Sequence, residues 1–132
     1  FGPFTLVVIC EDKNEVTAVA DNLQGQLTAT IMATEEELEN TPDLVEILTV
    51  KAGRVIFNNV PTGVEICHAM HHGGPFPSTS NGMYTSVGMD AIQRYVRPVT
   101  FQNMPDAILP DALKQGNPLN IWRTVNGEKT KA

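Results

Sequence analysis

The stretch that decides the fold runs from Leu27 to Asn58 and reads LTATIMATEEELENTPDLVEILTVKAGRVIFN. Both of its ends are rich in β-branched residues, whereas Thr34 and Pro42 each mark a helix start between them. The three glutamates after Thr34 suit the positive end of a helix dipole. The stretch therefore predicts strands over 27–33 and 54–58 joined by two helical pieces, the unit from which parallel sheets are built.

The residues before this unit predict another strand and another helix. Phe4 to Cys10 is almost entirely apolar and β-branched, as expected of an interior strand covered on both faces. Asp12 and Glu15 form a start that resembles a capping box, and apolar residues at helical spacing follow until Gly25. The alternation of strands and helices predicts an α/β fold with mainly parallel pairing.

The character of the chain changes after the second predicted strand. Residues 59–82 are rich in Pro and Gly and have no sustained hydrophobic period. Such a pattern predicts a long irregular loop, and loops of this length commonly carry function.

The last third of the chain predicts only short elements. Residues 89–95 favour a short helix capped by Asp90, and Val96–Phe101 favours a strand. Pro98 lacks a backbone N–H, so this strand is expected at a sheet edge. Several Pro and Gly residues after Asp106 predict a tail that wraps over a surface.

Composition and charge exclude several classes of protein. The 132 residues are 42% apolar and 18% charged, which is typical of a loop-rich globular domain, and no apolar window is long enough to span a membrane. Residues 11–46 hold ten acidic residues and one lysine, a local net charge of −9 that disfavours nucleic-acid binding. Two cysteines cannot form a disulfide framework, which fits the cytoplasm. The start at Phe1, without Met, leads us to expect a fragment.

All three histidines lie in one short cluster that begins Cys67-His68 and ends His71-His72. The cluster could hold a zinc ion, although no second pair of Cys or His residues completes a four-ligand site. The histidines could instead shape the loop by hydrogen bonding, or line a substrate pocket. Cys67 with His68 could also form a nucleophile and its base, but adjacent side chains rarely point at each other.

A second local feature is the run Gly73-Gly-Pro-Phe-Pro77. It has no Lys-Ser/Thr ending and therefore does not match a phosphate-binding loop. We interpret it as a shaped turn that presents the ring of Phe76. That ring is either a plug in the core or a wall of a pocket.

Several of these motifs, taken in order, resemble the final part of aldehyde dehydrogenases. They are Phe1-Gly-Pro3, Gly53-Arg-Val-Ile-Phe-Asn58 and the later Pro75-Phe76 turn. The run from Pro61 to Met70, PTGVEICHAM, is similar to the branch of that family that contains α-ketoglutaric semialdehyde and NADP-dependent fatty aldehyde dehydrogenases. The resemblance covers roughly residues 1–104.

The resemblance implies a set of site residues. The family binds NAD or NADP and oxidises an aldehyde, and residues 59–74 match the loop that shapes the mouth of its substrate tunnel. The implied site residues are Phe1 at the nicotinamide end of the cofactor, and Asn58, Cys67, His68 and Phe76 along the substrate tunnel.

The resemblance also implies an organisation of the chain. Residues 1–95 correspond to the C-terminal part of a catalytic domain with its tunnel-mouth loop over 59–82, residues 96–104 to an oligomerisation strand, and residues 105–132 to a C-terminal tail. The expected partners are a small-molecule aldehyde, the remainder of the same enzyme and further copies of it, with no nucleic acid and no membrane.

The family's catalytic Cys, general-base Glu and cofactor domain would all lie upstream, so the 132 residues alone are expected to be inactive. The apolar strands are also expected to require partners, so the chain alone should not be an autonomous monomer. Two alternatives remain from the residues themselves: a binding or assembly module without chemistry, and a His/Cys metal-binding domain.

Overall fold

Two short parallel strands lie at the centre of the first part of the chain. The computed structural model describes residues 2–131, in which strand β1 (Ala29–Ile31) pairs with strand β2 (Val55–Phe57). Ala29 lies opposite Val55, and the pairing is parallel. The predicted strand–helix–strand unit is therefore confirmed, with strands shorter than predicted.

Three helices accompany this sheet, and their starts follow the sequence signals. Helix α1 spans Lys13–Asp21, helix α2 spans Glu35–Glu39 and helix α3 spans Pro42–Lys51. Asp12 accepts a hydrogen bond from the Glu15 N–H at 2.9 Å, which confirms the predicted cap of α1.

The α2 start is a full capping box. The Thr34 hydroxyl oxygen accepts from the Glu37 N–H at 3.2 Å, and the Glu37 carboxylate accepts from the Thr34 N–H at 2.8 Å. Helix α3 begins with Pro42, whose missing N–H costs nothing in the first turn of a helix. Both predicted helix starts are thus confirmed.

The core of the described residues is small. Its buried apolar side chains are Ala20 of α1, Leu48 of α3 and Ala52, which directly follows α3. Helices α1 and α3 pack together around these residues. Most of the large apolar side chains remain exposed, so the chain presents much unpartnered apolar surface.

The predicted interior strand over Phe4–Cys10 is wrong for the chain as the structure describes it. These residues form no helix or strand, and Phe4 and Ile9 are 86% and 89% exposed. A strand needs a neighbour whose backbone groups complete its ladder. Strands β1 and β2 pair with each other, and no described strand pairs with residues 4–10.

The structure differs in two places from the predictions for the middle of the chain. The predicted short helix is confirmed as the 3₁₀ helix Met89–Tyr95, but Gly88, not Asp90, occupies its N-cap position. Gly88 has φ of +98°, a conformation that glycine adopts most easily. The stretch 96–104 contains no strand, because it pairs with no strand of the described chain and Pro98 offers no N–H.

The chain divides into two units, one up to Arg97 and one from Pro98. The second contains a 3₁₀ helix, Asp106–Ile108, and an antiparallel hairpin of β3 (Arg123–Val125) and β4 (Glu128–Thr130). The buried Asn117 amide donates to the Ile121 and Lys131 carbonyls, both at 2.9 Å. The tail thus contains a hairpin in addition to the predicted irregular segments.

The whole is a small mixed α/β structure with one parallel and one antiparallel strand pair among its described residues. None of the helices within residues 2–131 combines the length and apolar composition that crossing a bilayer requires.

Candidate functional site

The predicted irregular loop is present, and its centre lies against the beginnings of both parallel strands. Residues 59–82 contain no helix or strand, and Gly73 and Gly74 are its buried part. A Cβ atom on Gly53 would lie 2.6 Å from the carbonyl carbon of Gly73, and one on Gly25 would lie 2.5 Å from the carbonyl oxygen of Phe76. Only glycine permits such close approach of two backbones.

The turn around Phe76 is closed by its own hydroxyl groups. The Ser78 hydroxyl donates to the Pro75 carbonyl at 2.6 Å, and the Thr79 hydroxyl donates to the Gly74 carbonyl at 2.7 Å. These two hydrogen bonds satisfy the carbonyls of Pro75 and Gly74 within the turn and fix the path of its backbone. The Phe76-Pro77 peptide bond is cis.

The ring of Phe76 stands outside this turn. It is 82% exposed and lines an open groove with four other apolar residues of the same unit. Those residues are Leu23, Val50, Pro75 and Pro77. Within the described chain the ring is a surface element and contributes nothing to the core.

His72 is held in place through its backbone. Its N–H donates to the hydroxyl of the buried Thr85 at 2.8 Å, and its carbonyl accepts from the Ser86 N–H and hydroxyl, both at 2.9 Å. The Nδ1 atom of His72 is buried without a hydrogen-bond partner among the described residues. These contacts fix the backbone of the loop at His72 and leave the role predicted for its imidazole untested.

Cys67 and His68 are less constrained. Cys67 is a free, partly buried cysteine whose carbonyl accepts from the Met70 N–H at 3.2 Å, and His68 is exposed. No hydrogen bond of the described residues joins these two side chains to each other. Nowhere in residues 2–131 do three or more His, Cys, Asp or Glu side chains form a group that could hold a metal ion.

Asn58 occupies the end of β2 with φ of +48°. Its side-chain oxygen accepts from the Ala33 N–H at 3.0 Å, and its amide nitrogen donates to the Ala33 carbonyl at 2.7 Å. The polar atoms of this side chain are therefore used to fasten the end of β1. Any contribution of Asn58 to a substrate tunnel would therefore come from where the residue lies, since its polar side-chain atoms already bind Ala33.

Two arginines bind backbone carbonyls in the first part of the loop and just after its end. Arg54 donates to the carbonyls of Pro61 and Gly63, and Arg94 donates to the carbonyl of Tyr84 at 3.0 Å. The sequence contains no local signal that predicts these contacts.

One residue, Phe1, is predicted to contact the cofactor. Phe1 lies outside the described residues. A dinucleotide pyrophosphate is usually held where a glycine-rich turn leads from a strand into a helix, whereas Gly25 and Gly53 each lie between a helix and the strand that follows it. The described residues do not fit a complete nicotinamide-cofactor site.

Comparisons with known proteins identify relatives along nearly the whole chain. No protein-family model matches. The chain is 52% identical over 131 residues to an alpha-ketoglutaric semialdehyde dehydrogenase of Acinetobacter baylyi, a match that covers 99% of the chain and 25% of the relative. It is 49% identical over 128 residues to alpha-ketoglutaric semialdehyde dehydrogenase 2 of Azospirillum brasilense, covering 97% of the chain and 24% of the relative.

The chain thus spans about a quarter of the length of the curated relatives that it matches. Identity near 50% along almost every residue is far above what a shared fold alone requires. The chain is therefore similar to these dehydrogenases along almost all of its residues, and its sequence is consistent with a C-terminal part of an alpha-ketoglutaric semialdehyde dehydrogenase.

Proposed function

We propose that this chain is part of an NAD(P)-dependent aldehyde dehydrogenase that oxidises an aldehyde, α-ketoglutaric semialdehyde being the candidate, to a carboxylic acid. The observation that carries the proposal is the 52% identity over 131 residues to a relative with that semialdehyde in its name. The enzyme would act in the cytoplasm, which both free cysteines support.

The contribution of this chain would be one wall of the substrate tunnel and its mouth. The loop 59–82 supports this role because its glycines fix it against the sheet while the Phe76 ring stays 82% exposed. An apolar ring presented by a fixed backbone can distinguish aldehydes by the length and shape of their chains. Asn58, Cys67 and His68 would line the same tunnel.

A second contribution would be an assembly surface. The stretch 96–104 is without a strand partner in the described chain and exposes Val96 and Val99. Backbone groups without a ladder partner favour pairing with a strand of another copy. The tail over 105–132 would extend that surface.

The same exposed apolar surface favours a second candidate, a non-catalytic binding or assembly module. Sedimentation equilibrium of the isolated 132 residues separates the two. We expect association or poor folding, because the small core leaves large apolar side chains uncovered. A monomer that unfolds cooperatively, and whose mass does not depend on concentration, would favour the non-catalytic module.

The enzymatic proposal is tested with the full-length protein that contains this sequence. Purified protein is incubated with NAD or NADP and a panel of aldehydes, and formation of the reduced cofactor and of the acid is followed. We expect oxidation of α-ketoglutaric semialdehyde by the full-length protein and none by the 132 residues alone. No oxidation of any aldehyde by the full-length protein, or turnover by the pure segment, contradicts the proposal.

A further inference from the structure

Arg54 connects the start of strand β2 to the first part of the loop. Its Nη2 atom donates to the Pro61 carbonyl at 2.8 Å, and its Nη1 atom donates to the Gly63 carbonyl at 3.1 Å. The side chain is partly buried, and its Nε atom is buried without a partner among the described residues. The guanidinium hydrogen bonds thus hold residue 54 against residues 61 and 63 and close the segment between them into a loop.

The guanidinium of Arg54 is suited to hold the two carbonyl groups at a fixed separation. A guanidinium is planar and presents its donors in fixed directions, so two carbonyls that bind it are held at a set separation. Both acceptors are backbone atoms, so the contact fixes the path of the main chain. Hydrogen bonds from a charged donor are also stronger than those between neutral groups.

The position of this contact along the loop gives it a role that no other tether fills. The centre of the loop is fixed by Gly25 and Gly53, and the Tyr84 carbonyl is held by Arg94. Among the described hydrogen bonds, those of Arg54 join the part of the loop before Cys67 to the sheet. Residues 64–66 that follow are exposed.

We propose that Arg54 is a positioning residue for aldehyde binding: it sets the place of residues 61–66 at the tunnel mouth, and thereby the affinity for the aldehyde. This inference rests on the proposed function of the loop. Arg54 itself acts through the backbone of Pro61 and Gly63, so its loss should weaken aldehyde binding while leaving the chemical step intact.

The test uses the full-length enzyme with Arg54→Gln and Arg54→Lys, and Lys129→Gln as a charge-matched control on the exposed face of β4. For Arg54→Gln we expect KM for the aldehyde to rise about tenfold, with kcat and the KM for the cofactor nearly unchanged. Arg54→Lys keeps the charge and one donor direction, so it should recover part of the affinity.

Hydrogen–deuterium exchange provides a readout that does not depend on activity. Amides of residues 60–66 should exchange faster in Arg54→Gln than in the wild type, with little change around Gly73. A wild-type KM for the aldehyde in Arg54→Gln overturns the inference. An equal loss of kcat/KM toward aldehyde and cofactor with a lower unfolding temperature also overturns it, since this indicates a structural role only.

If Arg54→Gln does not fold, the exchange and kinetic comparison of Arg54→Lys with the wild type decides the same question. Absence of aldehyde oxidation by the wild-type enzyme is a separate result, which contradicts the proposed function itself.

Discussion

Asn58 completes the pairing of the parallel strands by binding both backbone groups of Ala33. Its side chain accepts from the Ala33 N–H and donates to the Ala33 carbonyl, at 3.0 and 2.7 Å. Its own N–H donates to the Ile31 carbonyl at 2.9 Å. The side-chain amide of Asn58 thus makes hydrogen bonds like those of the next residue in a strand ladder, at the point where β2 ends and the loop begins.

The first prediction concerns this fastening. In the full-length enzyme, Asn58→Ala removes two hydrogen bonds and places alanine at positive φ, so we expect a loss of about 2 kcal/mol of unfolding free energy. Asn58→Gly removes the same bonds without the backbone strain, and its loss should be smaller. Denaturant unfolding compares the two, and equal stability of Asn58→Ala and the wild type contradicts the fastening role.

The second prediction concerns the close approach of Gly53 to Gly73. Gly53→Ala would place a Cβ 2.6 Å from the Gly73 carbonyl carbon, so the loop must move away from the sheet. We expect a cost of about 1–3 kcal/mol in unfolding free energy and faster hydrogen exchange around residues 72–78. Gly63→Ala is the matched control because its Cβ would meet no atom within 4 Å. Similar behaviour of the two variants would refute the close-packing argument.

The third prediction is a pH dependence at the start of α2. The Glu37 carboxylate accepts hydrogen bonds from the Thr34 N–H and from the Thr34 hydroxyl. Both bonds lower the pKa of Glu37, and the bond from the N–H has the larger effect. Because the folded pKa lies below the unfolded one, this stabilisation is fully present above the ordinary carboxyl pKa and is lost as pH falls through the lowered value.

NMR titration of the Glu37 carboxyl measures this effect. In Thr34→Ala the pKa of Glu37 should move part of the way back, since the backbone N–H remains. Thr49→Ala is the control, because the Thr49 hydroxyl donates to the Glu46 carbonyl instead. An unchanged pKa of Glu37 in Thr34→Ala contradicts the assignment.

The fourth prediction concerns the hairpin of β3 and β4. Asn126 and Gly127 form its two-residue turn, with φ of +52° and +88°. Gly127→Ala should cost about 1–2 kcal/mol in local stability and speed hydrogen exchange of residues 123–130. Asn126→Gly tolerates positive φ and should leave exchange close to the wild type. Unchanged exchange in Gly127→Ala would show that the turn is not the element that holds the hairpin.

The elements that the sequence could predict are those defined by local signals. The caps at Asp12 and Thr34 act within one helical turn, and both helices begin where these residues predict. The strand over Phe4–Cys10 failed because an apolar β-branched pattern does not supply a pairing partner. The Asn-Gly pair at 126–127 is a local hairpin signal in the sequence, and it predicts the turn between β3 and β4.

The candidate site was less predictable for a related reason. The loop 59–82 could be located from its Pro and Gly content, and the resemblance supplied Asn58 and Phe76. The contacts of Arg54 with two carbonyls, and of Gly53 with Gly73, depend on how distant backbone segments approach each other. Such contacts have no local sequence pattern.

The central claim is that the loop carries a wall of the aldehyde tunnel, and Phe76→Ala in the full-length enzyme tests it most directly. A ring that lines the tunnel, as proposed for Phe76, should contribute contacts worth about 1–3 kcal/mol to aldehydes long enough to reach it, and none to shorter ones. Relative kcat/KM across aldehydes of increasing length is measured, with Phe4→Ala as the control for loss of an exposed ring.

We expect Phe76→Ala to lower kcat/KM unevenly across the aldehydes and to alter their order, whereas Phe4→Ala should change all of them by the same factor. An equal fall for every aldehyde in Phe76→Ala, accompanied by a lower unfolding free energy, would contradict the tunnel-wall role and show that the ring only supports the fold.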